Sequence, residues 1–513
     1  MKKQFNKIFA IAFLSIGLFS CSEEEILDLS PINQIGSQES YTTPSLVEAS
    51  VNGMYNAAAI GYFNGAGARG YIWGAAFVQQ NDCRGEDVVN EQAFYQFTYT
   101  NTYDSGTANN VYYWVDAYRL INRCNLVIDG VTGAVNNGII TSAVGNDYIG
   151  QAKFLRAITH FELLMHFARP YQFTAGATHP GIPYREVAID TQVEIDSEKL
   201  KGRNTVAECY AKVLADLDSA EALITNTGKS KASKNAAIAF KTRVYLHKRD
   251  WDNVLVEGVK VTATSLTSTP NAPFITASNL TNSESIFSIA HSAAVNPGVN
   301  AALASQYKTR LLVCISPIIW RDPMWLATDK RREEGVMVFT SGGRKYTNKY
   351  KDGTTYTDAA PIIRHAEVVL NMAEAHARKS SPNLTTALSL LNSVRNRSLA
   401  DAATQAYVAA DFADATALVG AILKERRIEF LMEGRRWGDI HRLQGDDMHP
   451  IDGIPAKVGN GSPAAAAFTL GTPYTGPFAQ VGVPSSDFRF LWPLPQAETF
   501  YNPTLAAQQN PGW

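Results

Sequence analysis

The chain has 513 residues, 45% of them hydrophobic and 18% charged, an ordinary globular composition with ample apolar material for a core. Its formal net charge of -2 offers no electrostatic hold on phosphates, which argues against nucleic acid as a partner. The length fits two or three domain-sized units or one large elongated body.

At the N-terminus, Lys2, Lys3 and Lys7 precede an apolar run over 8–19. The run is too short to cross a bilayer as a helix and reads as a signal peptide over 1–20. Leu18, Ser20 and Cys21 make a lipobox, so cleavage would leave lipid on Cys21 and make 21–44 an anchored lead-in. Glu23, Glu24 and Glu25 resemble the acidic tag of lipoproteins sent to the outer face of the outer membrane. The body would then meet the membrane through its lipid anchor only, facing outward at the cell surface.

A helix is predicted over 45–55. After it, 61–108 is rich in Gly, Asn, Tyr and Phe with little periodicity, and reads as loops. Trp114, Ala117, Tyr118, Ile121, Cys124 and Ile128 form one stripe over 111–129. Phe154, Ile158, Phe161, Met165 and Ala168 form another over 153–169, closed by Pro170. Thr205 with Glu208 is a capping box, Ser233 can cap a helix over 235–248, and one more begins near Trp251. This N-terminal part, 45–261, gives way to a C-terminal part, 262–513. The latter opens on a second loop-rich block, 262–361, with SIFSI and VMVF as short strands. Helices return over 362–378, 384–397, 415–432 and 435–443, and 444–487 is loop again. The predicted fold class is all-α: a tetratricopeptide-like scaffold of helix pairs with long loop-rich insertions and a few short strands. Insertions that long usually carry function.

The stretch 422–443, ILKERRIEFLMEGRRWGDIHRL, is apolar on two sides and so must be packed on two sides. Glu425, Glu429 and Glu433 nevertheless stack at i, i+4 and i+8, where like charges repel. Burial requires cations between them, and Arg426, Arg436 and arginines from elsewhere are the expected partners in a structural network.

Several segments together resemble the SusD/RagB family of outer-membrane nutrient-binding lipoproteins. They are Cys21 with Leu27-Asp28-Leu29-Ser30-Pro31, WVDAYRLINRCNLVID (114–129), GQAKFLRAITHFELLMHFARPY (150–171), ASKNAAIAFKTRVYLHKRDWDN (232–253), DKRRE (329–333), IIRHAEVVLNMAEA (362–375), LNSVRNR (391–397), ERRIEFLMEGRRWGDIHR and the closing FLWPLPQAETFYNPTLAAQQNPGW. Lys153, Thr159-His160 and Trp513 depart from the usual pattern in ways that packing tolerates. The resemblance implies an all-α fold, no catalysis, and capture of an oligosaccharide or other nutrient. It also implies a partner: a TonB-dependent outer-membrane transporter of the SusC type, on which such proteins act as a lid.

Sugar rings stack their CH faces on flat aromatics, and their hydroxyls seek Asn, Asp and Arg. The loop blocks offer Trp73, Trp320 and Trp325 as platforms, with Tyr71, Tyr99, Tyr103, Asn81, Asp82, Arg84, Arg321 and Asp322 around them. Against this, each tryptophan could seal a small core beneath its loop; Trp114, Trp251 and Trp437 are assigned to packing. A surface glycan hydrolase would need two carboxylates, for which Asp82 with Glu86 or Asp87 are the candidates. A peptide-binding helical scaffold is the third reading. The GxGxxG string at 65–70 lacks the preceding strand a dinucleotide loop needs, so no cofactor is expected. No metal is expected either: His160, His166, His365, His376, His441 and His449 lack ligand spacing, and Cys83, Cys124, Cys209 and Cys314 form no CxxC. His166 falls off the apolar stripe of its predicted helix.

Overall fold

The computed structural model describes residues 39–61 and 68–513. The predicted signal peptide, the lipid attachment at Cys21 and the first half of the string at 65–70 lie outside the described residues.

The helices start where the sequence supplies an oxygen for the orphan N–H groups of a first turn. Thr43 caps α1 (Pro44–Ile60), and Gly61 at φ 59° ends it. The buried α2 (Ala75–Cys83) has no side-chain cap. The long α3 (Ala108–Asn136) is followed by α4 (Ser142–Phe167), capped by Thr141. The reciprocal Thr205–Glu208 box opens α5 (Val206–Leu223), Ser233 opens α6 (Lys234–Lys248) and Asp250 opens α7 (Trp251–Gly258). In the C-terminal part come α8 (His365–Arg378), α9 (Leu384–Arg395), α10 (Ala415–Glu429) and α11 (Arg436–Arg442). From α3 to α9 each helix packs on its sequence neighbour, and α10 closes on α8 and α9. The chain is mostly helical, an all-α array of tetratricopeptide-like pairs.

The strands are β1 (Val88–Asn90), β2 (Ser285–Ile289), β3 (Val313–Ile315), β4 (Val338–Ser341), β5 (Arg344–Thr347) and β6 (Ala360–Arg364). All pair antiparallel: β1 with β3, setting Val88 opposite Ile315; β2 with β6; and β4 with β5. Gly342 and Gly343, both at positive φ, make the tight turn of that last hairpin. The β1–β3 pair joins the two blocks that periodicity could not resolve.

Three expectations need correction. The block 61–108 is not a loop rim: every residue of α2 is buried, and the strand and short helices that follow it pack into the main core. Residues 362–364 belong to β6 rather than to the helix after it, because Ile362 and Ile363 are buried in a sheet pair. Finally, α10 stops at Glu429, and Met432 and Gly434 at φ 61° and 71° turn the chain into α11.

The glutamates of α10 lie in a buried ion network. Arg331 bridges Glu425 and Glu429, Arg364 reaches Glu284, Glu429 and Glu433, Arg397 joins Glu284 to Glu429, and Lys349 holds Glu433 at 2.6 Å. The expected partners on the same stretch go elsewhere. Arg426 pairs with Asp439 at 3.1 Å, and Arg436 with Glu86 at 2.7 Å. Side chains one position apart on a helix diverge, so Arg426 points away from the Glu425–Glu429 face. Nearer the N-terminus, Arg156 forks onto Asp216 at 2.7 and 2.8 Å and donates to Asn125, tying α3, α4 and α5 together.

Candidate functional site

The predicted platforms are not at the surface. The Trp73 ring is fully buried, tilted against Phe77, and its indole N–H donates to Thr159 Oγ1 at 3.2 Å. Trp320 and Trp325 meet edge to face at 5.5 Å beneath Arg332, whose guanidinium lies 4.4 and 4.1 Å from their centroids; Trp320 Nε1 also donates to the Phe468 carbonyl. Tyr99 donates to the Val458 carbonyl from a buried position under Lys457. Asn81 bonds His166, which is itself buried between Trp437 and Trp492 rather than lying off the core. Arg84 is stacked 3.7 Å over Trp437, and burial pushes its pKa down to about 10. These side chains seal the core under their segments, which is the packing alternative weighed for the tryptophans. Arg321 alone among the principal candidates is half-exposed rather than buried, and it is pinned to Thr472 with its guanidinium 5.8 Å over Tyr474.

The carboxylates considered for hydrolysis are also internal. Burial pushes Asp82 up to about 8, with one hydrogen bond from the Gly434 N–H. Glu86 and Asp87 are held by Arg427 and Arg436, and those guanidiniums keep Glu86 far below the usual carboxylate range despite its burial. A pair consumed in this way cannot face a glycosidic bond.

What the two blocks build together is a seam around a π-turn, Ser305–Thr309. Its stitching is specific. Ala75 N at the start of α2 donates to the Ala301 carbonyl. Tyr95 donates its hydroxyl to Gln306, which donates to the Asn300 carbonyl, and Arg310 Nη1 donates to Asn300 Oδ1 at 3.1 Å. Glu91 N reaches the Leu312 carbonyl at 2.9 Å, continuing the β1–β3 ladder. On the other side, the turn over 352–357 is folded round Asp352, which accepts from Thr354, Thr355 and Thr357. It comes so near the π-turn that a Cβ at Gly353 would stand 3.1 Å from Thr309 Oγ1. His291 braces both sides, with its ring nitrogens 3.1 Å from the Ala59 carbonyl of α1 and 2.9 Å from that of Asp358.

Two observations mark this seam as more than packing. Trp73, Leu311 and Tyr356, all bulky, sit at φ 62°, 53° and 57°, a left-handed conformation that costs each on the order of 1–3 kcal/mol and collects at ligand sites. π-turns have the same tendency. The surface is also chemically mixed. Phe94 and Tyr112 are half-exposed, tied by Asn109 Nδ2 donating to the Phe94 carbonyl, and Arg310 lies 5.9 Å over the Phe94 ring. Tyr71, one of the predicted residues, is buried behind Tyr112 at 5.7 Å. Lys308, Asn300, Lys351 and Tyr356 complete the half-exposed rim. None of these rim residues was singled out by sequence. The turn strings Asn296-Pro297-Gly298 and Asp352-Gly353 were the only signal that the chain doubles back there.

A hollow of about 670 Å³ runs along α3 between Trp114, Ile121 and Leu126 on one side and Arg185, Ile189 and Ile195 on the other. Among the described residues no group of three or more His, Cys, Asp or Glu side chains is arranged to hold a metal. The four cysteines at 83, 124, 209 and 314 are buried free thiols, and no described helix is long and apolar enough to cross a membrane.

Comparison with known proteins places this architecture. Residues 27–246 match the family model described as "Starch-binding associating with outer membrane", and residues 327–513 match the SusD family model. A SusD-like protein of Formosa agariphila is 23% identical over 88% of this chain and 95% of its own. A SusD superfamily protein from Bacteroides fragilis superposes with a TM-score of 0.75 at 29% identity, over 91% of this chain and 99% of that one. A SusD-like carbohydrate binding protein from Bacteroides vulgatus gives 0.69 at 20% identity, over 91% and 98%. With both models matched in order along one continuous fold, the chain belongs to the SusD/RagB family.

Proposed function

We propose that this protein is a non-catalytic, lipid-anchored receptor of the outer cell surface that binds an oligosaccharide or polysaccharide at the π-turn seam and passes it to a SusC-type TonB-dependent transporter. The observation that carries the reading is the convergence of both loop blocks on one strained, half-exposed surface where aromatic rings and hydrogen-bonding side chains alternate. Phe94 and Tyr112 are suited to stack on sugar CH faces, and Asn300, Arg310 and Tyr356 to meet hydroxyls. The family model's description as starch-binding and the Bacteroides vulgatus neighbour's as carbohydrate binding support the same class of ligand. Of the residues chosen by sequence, Tyr71 keeps a place in the proposal, behind Tyr112, whereas Arg321 is held by Thr472 and Tyr474. Calorimetry against a panel of oligosaccharides tests it: Phe94→Ala should weaken binding about five- to thirtyfold, the loss of one stacking platform worth roughly 1–2 kcal/mol. Binding unchanged in Phe94→Ala and in Tyr112→Ala would remove the site, and a panel with no binder would remove the function.

The apolar hollow along α3 favours a second occupant class, a peptide or a loop of the transporter. A crosslink from Ile195→Cys to a co-purified transporter would assign it to the partner rather than to the nutrient.

A further inference from the structure

The seam's charge is as specific as its shape. Elsewhere in the molecule buried guanidiniums are typically met by carboxylates: Arg331, Arg364 and Arg397 in the network, Arg427 by Asp87 and Arg442 by Glu374. At the seam, Lys308, Arg310 and Lys351 form no ion pair with any described residue, and Arg310 meets only neutral groups, the Asn300 side chain and the Phe94 ring. The acids near them are spoken for. Asp352 is saturated by the hydroxyls and amides of its own turn, and Asp358 accepts from Thr276 and from Asp352 N at 2.7 Å each. Glu91, below the rim, is taken by Arg344 and Tyr346. Asp116, near Tyr71, is buried. Burial first, and the nearby Lys308 after it, hold the Lys351 ammonium below its ordinary range, with Asp358 pulling weakly the other way. Cations gathered with no ion-paired carboxylate cost energy in the empty protein, and a bound anion would relieve that cost.

We infer that the ligand of this seam is an anionic carbohydrate, a uronate- or sulfate-bearing oligosaccharide whose acid groups sit between Lys308, Arg310 and Lys351 while its sugar faces meet Phe94 and Tyr112. This rests on the glycan reading above and narrows it. The arrangement suits chains in which charge and apolar face alternate: the cations supply attraction and approach rate, the rings supply register. The two acid types differ in one way that matters for testing. A uronate loses its charge below about pH 3.5, within the range ordinary for carboxyl groups, whereas a sulfate ester does not.

The test is calorimetry at pH 7 with three probes of similar length: an oligogalacturonate, a sulfated galactan oligosaccharide and neutral maltoheptaose. It uses the mature chain and the Lys308→Gln/Lys351→Gln double variant, with Lys234→Gln as a control for simple loss of surface charge. The expected result is that one or both anionic probes bind more tightly than maltoheptaose. Their affinity should fall about three- to tenfold in the double variant, be untouched in the control, and weaken as sodium chloride rises from 50 to about 500 mM. Which anionic probe binds identifies the acid. Maltoheptaose binding as tightly as the anions, with no loss in the double variant, would overturn this inference and leave the glycan reading standing. No binding of any probe, in a protein whose melting is normal, would overturn the inference, and the broader oligosaccharide panel then decides the glycan reading separately.

Discussion

Replacing Glu429 by glutamine is the sharpest perturbation of the scaffold. Glu429 accepts from three guanidiniums, Arg364 at 2.7 Å, Arg397 at 2.6 Å and Arg331 at 3.0 Å, and its carboxylate lies 2% exposed. The ion-paired set around it balances: Arg331, Lys349, Arg364, Arg395 and Arg397 face Glu284, Asp329, Glu425, Glu429 and Glu433. Glutamine keeps the volume but leaves one excess buried positive charge and turns an N–H₂ toward donors. Breaking a buried pair in this way costs about 3–5 kcal/mol, several times the worth of an exposed pair. Equilibrium urea unfolding followed by tryptophan fluorescence at pH 7 measures it. The pH dependence has a definite sign. The surrounding arginines hold the Glu429 carboxyl well below its ordinary range. Its stabilisation is therefore present above the unfolded glutamate value near 4.3 and is lost as pH falls below it toward the folded value. The gap between native and Glu429→Gln should accordingly narrow on acidification below about pH 5. A variant within about 1 kcal/mol of the native protein at pH 7 would refute the network's role in holding α10, β6 and the Asp329–Arg332 turn together.

Trp73→Ala should cost about 3–5 kcal/mol of stability, as for other large buried aromatics, and change glycan affinity only through unfolding; chemical denaturation and calorimetry on the same sample separate the two. Asp82 has its pKa pushed up to about 8 by burial, so the native fold is penalised as pH rises from about 4 through 8. Asp82→Asn should therefore gain stability relative to the native protein at pH 8.5 and gain none at pH 4, read from urea midpoints. Thr205→Ala removes one half of the capping box at α5 and should lower stability by roughly 1 kcal/mol, with helix content by circular dichroism nearly unchanged.

Elements with a local signature were legible in the sequence. The Thr205–Glu208 box, Ser233 and the short apolar run SIFSI give element starts that agree with the structure to the residue or within one. By contrast, α2 was invisible because AAFVQQNDC is buried on every side, so no polar face remains to set a period. The helix α4 runs back to Ser142, well ahead of its predicted start, across Gly145 and Gly150. Glycine is chosen there because Val135 and Ile224 leave no room for a Cβ, and that reason is tertiary. The carboxylate face of α10 could be read as needing cations, yet most of the cations lie scores of residues away in sequence. The tryptophans misled because residue type does not say which way a ring faces; in both blocks the rings turn inward and smaller or charged residues such as Phe94 and Lys308 form the rim.

Hydrogen–deuterium exchange with and without a saturating oligosaccharide that binds tests the central claim most directly. The account predicts new protection confined to 91–97, 291–312 and 350–358, the three segments that meet at the π-turn, with the helix pairs unchanged. Protection confined instead to the α3 hollow, over 114–126 and 185–199, would contradict it and move the ligand to the opposite reading of the surface.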